Sequence, residues 1–107
     1  VPAAIGAALA GRAKGQDVVS VATVGDGAFL MTGMEMITAV ELKLPVICII
    51  LRDGELGMIS GLQRAQQNEV YCTHVPELMD MKALGDSLGM PSRRVSSDQE
   101  ALEGAKW

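Results

Sequence analysis

The sequence predicts an α/β fold, a parallel sheet flanked by helices. Three observations predict it. Two apolar segments rich in β-branched residues, 18–24 and 46–51, read as strands. Helix-patterned segments separate them, giving the order α-β-α-β-α-α-β-α. The second strand is apolar without alternation, as in a parallel strand covered on both faces.

Residues 2–10 form the first helix. Pro2 sits in its first turn, where a missing N–H costs nothing, and the Ala-rich surface with Gly6 permits close packing. Gly11 and Gly15 end it. The strand at 18–24 stops at Gly25-Asp26-Gly27. A helix is expected from Thr32 to about Leu44, opened by the capping box Thr32-x-x-Glu35 and stopped by Pro45. Its apolar residues point in nearly every direction, so it should be buried on more than one side.

After the strand at 46–51 comes a polar loop, 52–57, then a helix at 58–67 and an irregular stretch at 68–76. Leu78, Met81, Leu84 and Leu88 have helical spacing, and Gly89 and Pro91 end that helix. Residues 93–95 read as a short strand. Ser97-x-x-Glu100 is a second capping box.

Composition narrows the functions. The 107 residues carry 9 Lys+Arg against 13 Asp+Glu, a net charge of −4, which argues against nucleic acid as a partner. No run approaches the roughly 18 apolar residues of a membrane span. Cys48 and Cys72 lack metal-site spacing and read as reduced thiols of a cytoplasmic protein. The apolar fraction of 49% is high for so short a domain, so part of it should face another domain or subunit. The chain lacks an initiator Met and opens directly on a helix, as expected of a piece of a longer polypeptide.

Parallel α/β sheets bind ligands outside the carboxyl ends of their strands. Asp26 follows the first strand and Asp53 the second. If the strands are neighbours, about 5 Å apart, the two carboxylates converge and call for a cation between them. Mg²⁺ suits such a place, with oxygens from protein, phosphate and water. Gly27 and Ala28 lack bulk, so their N–H groups can approach phosphates. The same Asp-Gly pairs also fit simple chain turns.

Gly25-Asp26-Gly27, then 24 residues, then Arg52-Asp53 resembles the signature of thiamine diphosphate-dependent enzymes, Gly-Asp-Gly followed at similar spacing by Asn-Asn. Phe29, Met31-Thr32, Glu35, Thr38-Ala39-Val40, Lys43-Leu44-Pro45-Val46 and Gly57-Met58 resemble the acetolactate synthase branch, and the likeness covers almost the whole chain. The resemblance implies that residues 1–107 are a single partial domain, the diphosphate-binding domain of a larger enzyme that decarboxylates pyruvate and ligates it to a 2-oxo acid.

By position, the resemblance makes Asp26, Asp53 and the Glu55 carbonyl ligands of Mg²⁺. Gly25, Gly27 and Ala28 lie against the diphosphate of thiamine diphosphate. Met58 falls near the aminopyrimidine and substrate pocket, where ordinary helix packing explains it equally well. The family places the activating Glu on a pyrimidine-binding domain, usually of a partner subunit, which implies a homo-oligomer. No catalytic residue is expected in these 107 residues.

Arg52 and Asp53 depart from Asn-Asn, and Ala28 lacks a hydroxyl often found there. Arg52 either offsets the added charge of Asp53 or is a solvated strand-end residue. His74 reads as a loop histidine and Arg93-Arg94 as a solvated pair. Other readings of the whole are another thiamine diphosphate-dependent 2-oxo acid decarboxylase or oxidase, and a non-catalytic α/β module that has lost the cofactor.

Overall fold

A computed structural model describes residues 1–106. It has the expected α/β architecture, a small open parallel sheet flanked by helices. The elements are α1 (Pro2–Ala13), β1 (Ser20–Gly25), α2 (Asp26–Thr32), a 3₁₀ turn (Gly33–Glu35), α3 (Met36–Glu41), β2 (Val46–Leu51), α4 (Gly57–Gln67), α5 (Met81–Ser87) and α6 (Asp98–Gly104). β1 and β2 pair in parallel, in register from Ser20↔Val46 to Gly25↔Leu51.

One face of the sheet carries the core. Ile5, Ala8, Phe29, Met36, Ala39 and Leu44 are buried there, with Val24, Val46, Cys48 and Ile50 packed beneath them and Met81 and Leu84 from α5. The other face, with Val21, Ile47, Ile49 and Leu51, is exposed. This corrects the expectation that β2 is covered on both sides. Its unbroken apolar run reflects one face in this core and one face left open. The radius of gyration, 15.9 Å, accordingly exceeds the about 13 Å of a compact chain of this length.

The helices show further differences. α1 runs through Gly11, whose bare Cα lets Val18 lie close: a Cβ there would sit 3.0 Å from Val18 Cβ. The next helix begins at Asp26, not Thr32. The Thr32 hydroxyl donates to the Ala28 carbonyl at 3.3 Å and does not cap a helix start, so the expected capping box is absent. Gly33 admits the Phe29 ring, to which an added Cβ would come within 2.6 Å, and the helix tightens there into the 3₁₀ turn. From that turn onward, Met36 and Ala39 are buried while Met34, Ile37, Val40 and Leu42 are exposed, so only one side of this helical stretch is covered.

α4 lies where the pattern places it. It ends at Asn68 in the left-handed conformation (φ 56°), which Asn tolerates. Leu78 falls outside α5 and is exposed; the helix starts later because the Asp80 side chain accepts the N–H groups of Lys82 and Ala83. The strand expected at 93–95 does not form. A strand needs an edge to pair with, and Ser92 is packed instead against Gly85 of α5. The second capping box holds at α6, where Ser97 Oγ accepts the Glu100 N–H at 3.2 Å, although Glu100 reaches back to Ser96 N–H at 2.7 Å. No helix among the described residues is long and apolar enough to cross a membrane.

Candidate functional site

The strand register brings the two loops together. Gly25 and Leu51 are partners at the ends of β1 and β2, so Asp26 and the Arg52–Asp53 pair leave the sheet at one edge. Asp26 is the first residue of α2 and only 1% exposed. Its Oδ1 accepts the Gly27 N–H at 2.8 Å and its Oδ2 accepts the Gly54 N–H at 3.0 Å. The second contact fastens the loop after β2 to the start of α2. A helix N-terminus favours this carboxylate's negative charge. Each oxygen keeps a lone pair beyond its one N–H partner.

The loop after β2 is built on Gly54, whose φ of +75° suits a residue without a side chain. Asp53 is exposed, and its Oδ1 accepts the Glu55 N–H at 3.2 Å, closing a local turn. Residues 73–75 run antiparallel beside this loop. Leu56 N–H donates to the Thr73 carbonyl at 2.7 Å and Val75 N–H to the Gly54 carbonyl at 2.9 Å, around a bridge between Glu55 and His74. In such a wide pair the central residue's own N–H and C=O point away from the neighbouring segment. No donor among the described residues reaches the Glu55 carbonyl.

The Glu55 carboxylate is held apart from that carbonyl. Arg64 Nη2 donates to its Oε1 at 2.7 Å, and Arg64 Nη1 donates to Ser60 Oγ at 3.2 Å. The Arg64 hydrogen bond, reinforced by Ser60 and Thr73, holds the Glu55 carboxyl below its ordinary value of 4.5. A depressed folded-state value stabilises above the unfolded value and is lost as pH falls through the folded one. Glu55→Gln is therefore expected to loosen residues 54–56 at neutral pH. Hydrogen exchange of that loop, followed downward in pH, should show the gap to the unsubstituted protein closing below 4.5.

The chain matches, over residues 1–106, the family described as thiamine pyrophosphate enzyme, C-terminal TPP binding domain. It belongs to that family. It is 35% identical over 103 residues to acetolactate synthase of Bacillus subtilis, covering 96% of this chain and 17% of that protein. It is 31% identical over 106 residues to the mitochondrial acetolactate synthase of Schizosaccharomyces pombe, covering 99% of this chain and 15% of that one. An X-ray structure from Mycobacterium smegmatis, assigned as a thiamin diphosphate-dependent enzyme, superposes with a TM-score of 0.68 at 34% identity, over 82% of this chain and 15% of that one. The chain thus spans about one sixth of the length of the relatives it matches.

Within this thiamine pyrophosphate family domain, the positions expected at the cofactor are distributed as follows. Asp26 accepts from Gly27, and through Gly54, which is not among those positions, it also holds the loop carrying Asp53 and Glu55; Gly25 and Ala28 adjoin Asp26 and Gly27 in sequence. Gly27 is also a close approach: a Cβ there would run into Leu56 Cδ2. Met58 is 91% exposed in the first turn of α4, beside exposed Ile59 and near exposed Leu62. Arg52 reaches neutral backbone carbonyls, Glu77 at 2.8 Å and Pro76 at 3.5 Å. No group of three or more His, Cys, Asp or Glu side chains that could hold a metal occurs among the described residues. Any metal here would need backbone and external oxygens besides Asp26 and Asp53.

Sequence reasoning overlooked Gly54 and the strap at 73–75. The Asp-Gly pair at 53–54 signals a turn but not its partner. The strap carries no local signal, because its contacts join residues 17 to 21 positions apart.

Proposed function

We propose that residues 1–107 are the Mg²⁺ and thiamine diphosphate anchoring domain of an acetolactate synthase-like enzyme. The observation that carries this reading is the Asp26 Oδ2 to Gly54 N–H contact, which holds two strand-end loops at one sheet edge in a chain of this family. The donor set fits the group. Asp26 and Asp53 offer hard carboxylate oxygens and Glu55 an unpartnered carbonyl, leaving positions of an octahedron for phosphate and water. Gly27 and Ala28 lie in the first turn of α2; Asp26 Oδ1 holds the Gly27 N–H, and the bare Gly27 backbone with the Ala28 N–H, which lacks an intrahelical partner, suits phosphate.

Bound thiamine diphosphate supplies the nucleophilic carbon and the electron sink for decarboxylating a 2-oxo acid. The residues here anchor and orient. Asp26, Asp53 and the Glu55 carbonyl would hold Mg²⁺, the α2 turn would receive the diphosphate, and Met58 would flank the substrate pocket. The substrates in this reading are pyruvate and a second 2-oxo acid. A pyrimidine-binding domain, supplied by a partner subunit of a homo-oligomer, completes the site. Two unpaired cysteines, Cys48 and Cys72, fit a cytoplasmic enzyme.

Titration calorimetry of thiamine diphosphate into the full-length enzyme tests the anchor. Binding is expected with Mg²⁺ and not with EDTA; equal heats in both would reject the metal-bridged site. Product analysis after adding pyruvate then tests the reaction. Acetolactate is expected, whereas acetaldehyde or acetate alone would assign the domain to another 2-oxo acid decarboxylase or oxidase.

A further inference from the structure

Arg52 stands where the family signature has Asn, and its role follows from what it touches. The residue directly follows β2, and its Nη2 donates across the loop to the carbonyls of Glu77 at 2.8 Å and Pro76 at 3.5 Å. Both acceptors continue the strap whose residues Thr73 and Val75 are buried and bonded to Leu56 and Gly54. The strap is therefore gripped three times, twice by backbone and once by the guanidinium. Asn is too short to make the third grip from this position.

The middle grip falls on Gly54. Its N–H is held by Asp26 Oδ2 and its C=O by Val75 N–H. The bridge of Glu55 with His74 aims the Glu55 carbonyl away from the strap. Releasing the strap removes the constraint on the Gly54 and Glu55 carbonyls at once, while Asp26 still holds the Gly54 N–H. Arg52 also lines a cleft with Asp53, Gly54, Glu77 and Arg94.

We infer that Arg52 is a positioning residue, a clasp that locks the strap at 73–77 and thereby sets the geometry of the Asp53–Glu55 loop for Mg²⁺ and diphosphate. This rests on the anchoring role proposed above. It differs from charge compensation of Asp53, because the acceptors are uncharged carbonyls and no ion pair joins Arg52 to Asp53 among the described residues.

The test has two arms in the full-length protein. In the first, without cofactor, Arg52→Ala should speed hydrogen exchange at the Leu56 and Val75 amides about fivefold to tenfold, as expected for loss of one solvent-exposed hydrogen bond. Amides of β1 and β2 should not change, and Arg93→Ala should move neither set. Unchanged exchange at Leu56 and Val75 would overturn the clasp. In the second arm, Mg²⁺-dependent binding of thiamine diphosphate should weaken by a similar factor and stay weakened at high salt, which screens charge effects. A deficit that disappears with salt, or that Arg52→Lys fully restores without restoring exchange, would make Arg52 a charge compensator instead. Faster exchange with unchanged binding would overturn the positioning role. No binding by the unsubstituted protein would reject the anchoring reading and the positioning role with it, while the first arm still decides the clasp.

Discussion

Asp26→Ala is expected to weaken Mg²⁺-dependent binding of thiamine diphosphate by about 100-fold or more, since even outer partners of a metal site commonly cost 10–100-fold. Two losses act together. The variant removes a carboxylate oxygen from the proposed ligand set, and it leaves the N–H groups of Gly27 and Gly54 without their acceptor. The second loss also frees the loop after β2 from the start of α2. Asp53→Asn separates the effects, because Asn keeps an oxygen ligand and restores the family's residue type at that position. Its carboxylate is exposed and engaged only with its own loop. Binding should survive in Asp53→Asn and fail in Asp26→Ala, both read by calorimetry on folded protein. Equal binding by Asp26→Ala and the unsubstituted protein would remove Asp26 from the site.

The convergence of Asp26 with the loop at Asp53 was legible because it depends on repeating physics. Two strands joined through a helix pair in parallel, and parallel strands end at one edge. Details that depend on competing local bonds were less legible. Thr32-x-x-Glu35 has the letters of a capping box, but a Thr hydroxyl can also bond back one turn, and here it does so to Ala28. The helix starts instead at Asp26, directly after β1, and Thr32 is its last residue. Features that require a distant partner were not legible. Residues 93–95 have strand propensity but pair with neither strand of the sheet, while 73–75 have little strand pattern and do join the loop at 54–56. The same rule applies to β2. Its composition says that both faces avoid water, and the described residues cover only one.

Phe29 ties this site to the core, and Phe29→Ala is expected to destabilise the domain by about 3–5 kcal/mol. The ring is 2% exposed and sits among Ile5, Ala8, Met36, Ala39 and Leu44, on the short helix that Asp26 begins. Gly33 lies against it, so Gly33→Ala should cost about 1–3 kcal/mol by overpacking. The two changes should not add. Without the ring, the methyl group at position 33 meets no obstacle and fills part of the cavity. Native-state hydrogen exchange of the β1 and β2 amides, the most protected class expected in such a sheet, reads the three free energies. The double variant should be less destabilised than the sum of the single variants. Simple additivity would mean that the 3₁₀ turn at Gly33 has another cause than the ring of Phe29. Because α2 also carries Asp26, Gly27 and Ala28, the same variants should loosen the candidate site in proportion to the core they disturb.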